Sequence, residues 1–279
     1  MLFALAAAFA YGTSDFLAGL LSRRASFLLV GAVAQLIAMT GTLVALPLTS
    51  PPSATTAALA WGTASGAGAA LGTLTLYRGL ATGQMAVAAP LSGVGAAALP
   101  AVAGFLLGER PSAVAVAGIV LALPAVWLVS SADRGTRAAG QSRLAAGVVD
   151  GLLAGVGFAV LFVALDRAGD AAGLWPVAAG QVTSAAVLCT AAAVRRVPLR
   201  PGLRLTGGAA AVGGLGAAAI VLFFLATHRG LLTFAAVLAS LYPAVTVLLA
   251  RVTLGERLRR LQTVGLALAA TAVVLIVTG

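Results

Sequence analysis

Ten apolar runs of about twenty residues each divide this sequence, and hardly a charged side chain interrupts them. A run of that length crosses the hydrocarbon of a bilayer as an α-helix, since about 20 residues rising 1.5 Å each cover roughly 30 Å. The runs are 2–21, 27–48, 55–76, 84–107, 111–131, 144–165, 171–194, 205–227, 232–254 and 258–278. Lipid offers no partner for an open backbone, so helix is the state these runs can adopt, and none shows the ten-residue alternation of a membrane strand. Charged residues make up only 9% of the 279, against about 25% in an ordinary soluble domain. The expected fold class is therefore all-α, a polytopic membrane protein of ten transmembrane helices. Ten spans leave roughly 80 residues for termini and short loops, too few for a separate soluble domain. The first run lacks a basic leader and is followed by nine comparable ones, so it reads as a retained span.

A motif repeats across the chain. Gly108-Glu109-Arg110 returns as Gly255-Glu256-Arg257, 147 residues later, and Leu107/Leu254 and Gly118/Gly265 align at the same offset. Tyr77-Arg78-Gly79-Leu80 likewise resembles His228-Arg229-Gly230-Leu231 once four residues are dropped. Two five-helix halves follow, 1–131 and 144–279, joined by a polar connection at 132–143. Five is odd, so the second half enters the membrane from the opposite face. Such inverted repeats recur in secondary transporters, with the site at the interface between halves.

All 17 basic residues are arginine. Fourteen fall on one set of alternate loops and helix ends, while Arg110, Arg167 and Arg229 fall on the other. The positive-inside bias puts the first set in the cytoplasm and both termini outside. Because the arginines sit between apolar runs, the net charge of +10 reads as topology and implies no nucleic-acid partner. The all-Arg, Ala-rich usage suggests a high-GC bacterial genome, hence a bacterial cytoplasmic membrane. Cys189 is the only cysteine, so no intrachain disulfide forms.

Ser240-Leu241-Tyr242-Pro243, then Leu254-Gly255-Glu256-Arg257, Gln262 and Gly265, together with Pro90, Pro100, Leu107-Gly108-Glu109-Arg110, Gly118 and the Tyr11-Gly12 to Phe16 start, resemble the EamA-type ten-helix branch of the drug/metabolite transporter superfamily. The resemblance covers nearly the whole chain. It departs in the second run, where Gln35 stands as the main polar residue and the arginine often seen in relatives is missing, and in the fourth, which has no counterpart of Tyr242-Pro243. It implies two inverted halves around a central cavity. It names no substrate, because relatives carry amino acids, sugars, nucleobases and drugs.

Two acids sit well inside predicted spans, Asp15 and Asp150. A carboxylate costs about 2.5–3.5 kcal/mol at a helix centre on insertion scales, somewhat less nearer the face. A cost of that size calls for a partner, a wet cavity or a function. Both are candidates for holding a proton or a cationic substrate group, with helix capping the alternative for Asp150. The repeat sets Phe158, not Asp150, opposite Asp15. Tyr11 and Tyr242 near the midplane, Trp61 about 9 Å inside its span, Ser240, Gln35 and Gln181 complete the candidate substrate- or proton-binding set. Pro90, Pro100 and Pro243 are candidate helix breaks at the cavity, since each removes a backbone donor and frees a carbonyl. His228 reads as a surface residue, and the two Gly-Glu-Arg motifs as local ion pairing and capping.

The expected function is a secondary transporter of a small polar or amphipathic metabolite or drug, working by alternating access and most simply by proton-coupled export. An uptake carrier or uniporter of the same fold is the alternative, and an ion channel or intramembrane enzyme the rival of another class. The sequence offers no catalytic or metal-binding cluster, one histidine and no phosphate loop, so an enzyme, a metal or a cofactor is not expected. The expected partners are a small-molecule substrate, the bilayer and protons. Nothing fixes the oligomeric state, and a monomer fits the plan.

Overall fold

The computed structural model describes residues 1–22, 25–49, 54–81, 85–130, 141–198, 202–254 and 260–278. Every element among them is helical: α1 (Leu2–Ser22), α2 (Phe27–Thr49), α3 (Thr56–Ala81), α4 (Met85–Leu106), α5 (Ala113–Ser130), α6 (Gln141–Arg167), α7 (Trp175–Val194), α8 (Leu203–Thr227), α9 (Leu232–Ala239), α10 (Tyr242–Leu254) and α11 (Arg260–Thr278). Most of the predicted connection at 132–143 and the motif Gly255-Glu256-Arg257 lie outside the described residues.

Among the described residues, five stretches are long and apolar enough to cross a membrane: Leu2–Ser22, Phe27–Pro47, Gly147–Arg167, Trp175–Val194 and Leu205–Thr227. Shorter apolar stretches lie in α4, α5, α9–α10 and α11. Large apolar side chains stand on the outer surface, among them Phe9, Val44, Val102, Leu106, Val120 and Leu152. Water would penalise such a surface, and lipid accepts it.

The expected continuous helix over 232–254 is two helices. Leu241 N–H turns back to the Leu238 carbonyl at 3.2 Å, and Ala244 N–H to that of Leu241 at 3.0 Å, both tighter than the α-helical step. Pro243 becomes the second residue of α10. There its missing N–H costs nothing, so it starts a helix rather than kinking one.

Elsewhere the ends follow local rules. After α4, Gly108 takes φ 99°, and Gly108 N–H and Glu109 N–H return to the carbonyls of Phe105 and Gly104. This is the Schellman closure that glycine favours. Arg196 makes the same closure after α7 at φ 52°.

The helices interleave. α3 packs on α6 and α7, while α8 packs on α1 and α2. α4 packs on α6, while α9 and α10 pack on α1; α2 meets α7, α4 meets α9, and α5 meets α11. Glycine makes the tightest crossings possible. A Cβ on Gly66 would stand 2.7 Å from the Cα of Gly180, and one on Gly213 3.0 Å from the carbonyl carbon of Ala34. With no lipid-versus-helix hydrophobic gain available, close backbone approach is what draws such helices together.

Candidate functional site

A cavity of about 110 Å³ opens between α1, α2, α3, α6, α7 and α8, with Tyr242 of α10 reaching its wall. Tyr11, Asp15, Gln35, Gln181 and Tyr242, five residues expected at the site, all line it. Asp15 lies seven residues before the end of α1, Tyr77 four before the end of α3 and Leu188 six before the end of α7. The cavity therefore reaches from mid-bundle toward the end of the bundle where α1, α3 and α7 finish.

The Asp15 carboxylate is half-buried. It shares the cavity wall with the side chains of Tyr11, Tyr77 and Tyr242. Among the described residues, none that lines the cavity is basic. The Tyr11 ring packs 6.4 Å from Phe162 and 6.5 Å, edge-on, from Tyr242. Tyr242 OH and Ser92 Oγ lie 3.4 Å apart, one hydroxyl donating to the other. Gln35 Nε2 donates to Gln181 Oε1 across the wall. Two polar atoms remain without a protein partner there, Tyr11 OH and Gln181 Nε2, and both are buried.

Other expected site residues lie elsewhere. Asp150 is 3% exposed and accepts hydrogen bonds from Arg78 Nε, at 2.9 Å, and Nη2. It sits inside α6 rather than at the head of a later helix, and this guanidinium accounts for its burial. Trp61 is 41% exposed on the outer surface. Ser240 is fully buried in the break between α9 and α10, with its hydroxyl unpartnered, and does not line the cavity. Pro100 is buried inside α4, and Pro90 also falls within the bounds of α4.

Several contributors were not anticipated. Phe158 lines the cavity beside Asp15, so the two positions equated by the repeat face one space. Tyr77 joins because α3 runs to Ala81, beyond the expected end at 76. Glu109 does not cap locally. Its Oε2 accepts the Thr233 N–H at 3.0 Å and its Oε1 the Leu232 N–H, so it caps α9 from across the bundle. His228 is part-buried rather than surface: its Nδ1 lies 2.7 Å from the Phe224 carbonyl and its ring 4.4 Å from that of Phe224.

The fold has solved relatives. Twenty-four chains of known structure match. One crystal structure, described only as that of a protein, superposes at a TM-score of 0.80 over 98% of this chain and 94% of its own, with 19% identity. No curated protein matches. Residues 145–278 match the model of the EamA-like transporter family, a span that holds Ser240 to Pro243, Gln262 and Gly265. That match, over just under half of the chain, likens its second half to the EamA-like transporter family, part of the drug/metabolite transporter superfamily, and together with the apolar helices it marks a multi-pass membrane protein.

Proposed function

We propose that this protein is a secondary transporter that carries a small polar or amphipathic metabolite or drug across a bacterial cytoplasmic membrane by alternating access, with proton-coupled export as its cycle. The observation that carries this reading is Asp15 in the wall of a cavity whose lining comes from both halves of the chain. A half-buried carboxylate with no cation among the described residues of its cavity is a natural exchange point. It holds either a proton or a positively charged group, and the two compete for one charge.

Ten spans arranged as two inverted halves, 1–131 and 144–279, are the scaffold of this proposal. The packing supports it. Exchanging α1 to α5 with α6, α7, α8, α9–α10 and α11 turns the α3–α6 contact into α8–α1, α3–α7 into α8–α2, and α4–α6 into α9–α10 on α1, and all of these contacts occur. The pairs α2–α7, α4–α9 and α5–α11 map onto themselves and occur as well. Gln35 and Gln181 meet where two such helices cross.

Orientation follows from the arginines. The cavity lies toward the Arg-rich end, which the positive-inside bias puts in the cytoplasm, with both termini outside. Substrate then enters from the cytoplasm, as export requires. Tyr11, Gln35, Gln181 and Tyr242 supply hydrogen bonds to it. Ser240 and Pro243 mark the hinge between α9 and α10, whereas Pro90 and Pro100 lie within the continuous α4. Asp150 steadies the α3–α6 contact, and Trp61 faces lipid.

The test is flux in proteoliposomes with a panel of amino acids, sugars, nucleobases, amines and drugs. An imposed pH gradient should stimulate efflux of at least one compound, and Asp15→Asn should abolish the stimulation. Flux indifferent to the gradient in the wild type reduces the protein to a uniporter.

A further inference from the structure

Resting on that reading, the wall of the cavity narrows the substrate by its charge. Among the described residues, the lining holds one acid, Asp15, and no arginine or histidine. Arg78, next in sequence to the lining residue Tyr77, is committed to Asp150 on α6. With Asp15 ionised, the cavity carries a negative charge that no described residue of its wall balances. A bound anion would add a second negative charge in a low-dielectric space. A zwitterion would need a cation opposite its carboxylate, and the described residues of the wall provide none.

The remaining chemistry is aromatic. Tyr11, Tyr77, Phe158, Phe162 and Tyr242 come from α1, α3, α6 and α10 and surround the same space as Asp15. Their placement is not that of a closed stack: Tyr11 stands edge-on to Tyr242 and tilted by 53° against Phe162. Rings that line a space beside a carboxylate attract an ammonium group twice, through their quadrupoles and through the charge.

We propose that the cavity is a binding site for a monovalent organic cation, with the ammonium group held by Asp15 and the apolar body of the ligand against the rings of Tyr11, Tyr77, Phe158 and Tyr242. Gln181 Nε2, buried in the wall without a protein partner, donates to an acceptor on the ligand where one is present.

Binding to the purified full-length protein in detergent tests this, read by isothermal titration calorimetry with three probes that share one ring and differ in charge. These are phenethylammonium, 2-phenylethanol and 3-phenylpropionate. Phenethylammonium should bind about tenfold or more tightly than the alcohol, and the carboxylate should not bind. Asp15→Asn should remove the preference for the amine over the alcohol. Tyr77→Leu, which leaves the charge in place, should weaken the amine more than the alcohol. A monodisperse elution profile establishes that each variant is folded, and Asp15→Glu, which keeps the charge, should retain the preference if Asp15→Asn does not fold. Equal affinity for amine and alcohol, tighter binding of the carboxylate, or an amine preference untouched in folded Asp15→Asn would overturn the proposal. The transport reading fails separately: gradient-driven flux of some other class without amine binding keeps the carrier and sinks the cation site, while amine binding without any flux does the reverse.

Discussion

The Gln35 side-chain amide in α2 donates to the Gln181 side-chain oxygen in α7, joining two helices across the cavity wall. Gln181 is 2% exposed, so water does not readily replace a lost partner. Gln35→Leu should destabilise the protein by about 1–3 kcal/mol, the cost of stranding a buried polar group. The double variant Gln35→Leu/Gln181→Leu should cost less than the sum of the two single changes, because the stranded group goes with its partner. Thermal unfolding in detergent of all four proteins measures the difference.

Close crossings set a second expectation. Gly66 meets the backbone of Gly180, whereas nothing lies within 4 Å of a Cβ added at Gly214. Gly66→Ala should force α3 from α7 and cost at the upper end of, or beyond, the about 1–3 kcal/mol typical of overpacking, since backbone cannot step aside as a side chain can. Gly214→Ala should be neutral or slightly stabilising, because alanine is the better helix former. Yield of monodisperse protein and melting temperature distinguish them.

Glu109 holds the first amides of α9 from the far side of the bundle. Hydrogen bonds to a charged acceptor are worth about 1.5–3 kcal/mol. Glu109→Ala should lower the melting temperature more than Glu109→Gln, which keeps an acceptor. Hydrogen exchange at Leu232 and Thr233 should rise in step with the loss.

The Arg78–Asp150 pair is one-sided, with the Asp150 side chain 4% exposed and that of Arg78 54% exposed. Arg78→Ala should therefore harm more than Asp150→Asn. It leaves a buried carboxylate unpaired, whereas the reverse change leaves a guanidinium that water can reach. The penalty should stay below the about 3–5 kcal/mol of a fully buried pair. Unfolding of both variants, with Arg78→Lys as the charge-keeping control, gives the order.

Where helices start and stop was legible from the sequence, and azimuth was not. The run 27–48 comes as Phe27–Thr49, because hydropathy alone marks where a span starts and stops. Helices apolar all round carry no moment that says which face turns inward. Trp61 and Asp15 were both placed about 9 Å inside, yet one faces outward and the other lines the cavity. Phe158 and Tyr77 escaped for the same reason, since nothing in an apolar run separates a cavity aromatic from a lipid-facing one. The break at Ser240-Leu241 escaped because Pro243 was read as interrupting a helix, whereas its position as the second residue of α10 lets the chain turn before it. Glu109 reaches α9 across a sequence separation of 123, a pairing no local motif announces.

Counterflow tests the carrier cycle most directly. Proteoliposomes are loaded with a high concentration of an unlabelled compound that the flux panel has identified, then diluted into a trace of its labelled form with no ion gradient. A protein that exposes one cavity to one side at a time should accumulate the label transiently above its outside concentration, and Asp15→Asn should change the pH dependence of that overshoot. A label that only equilibrates, at a rate that does not saturate with concentration, would show an open pore and contradict the account.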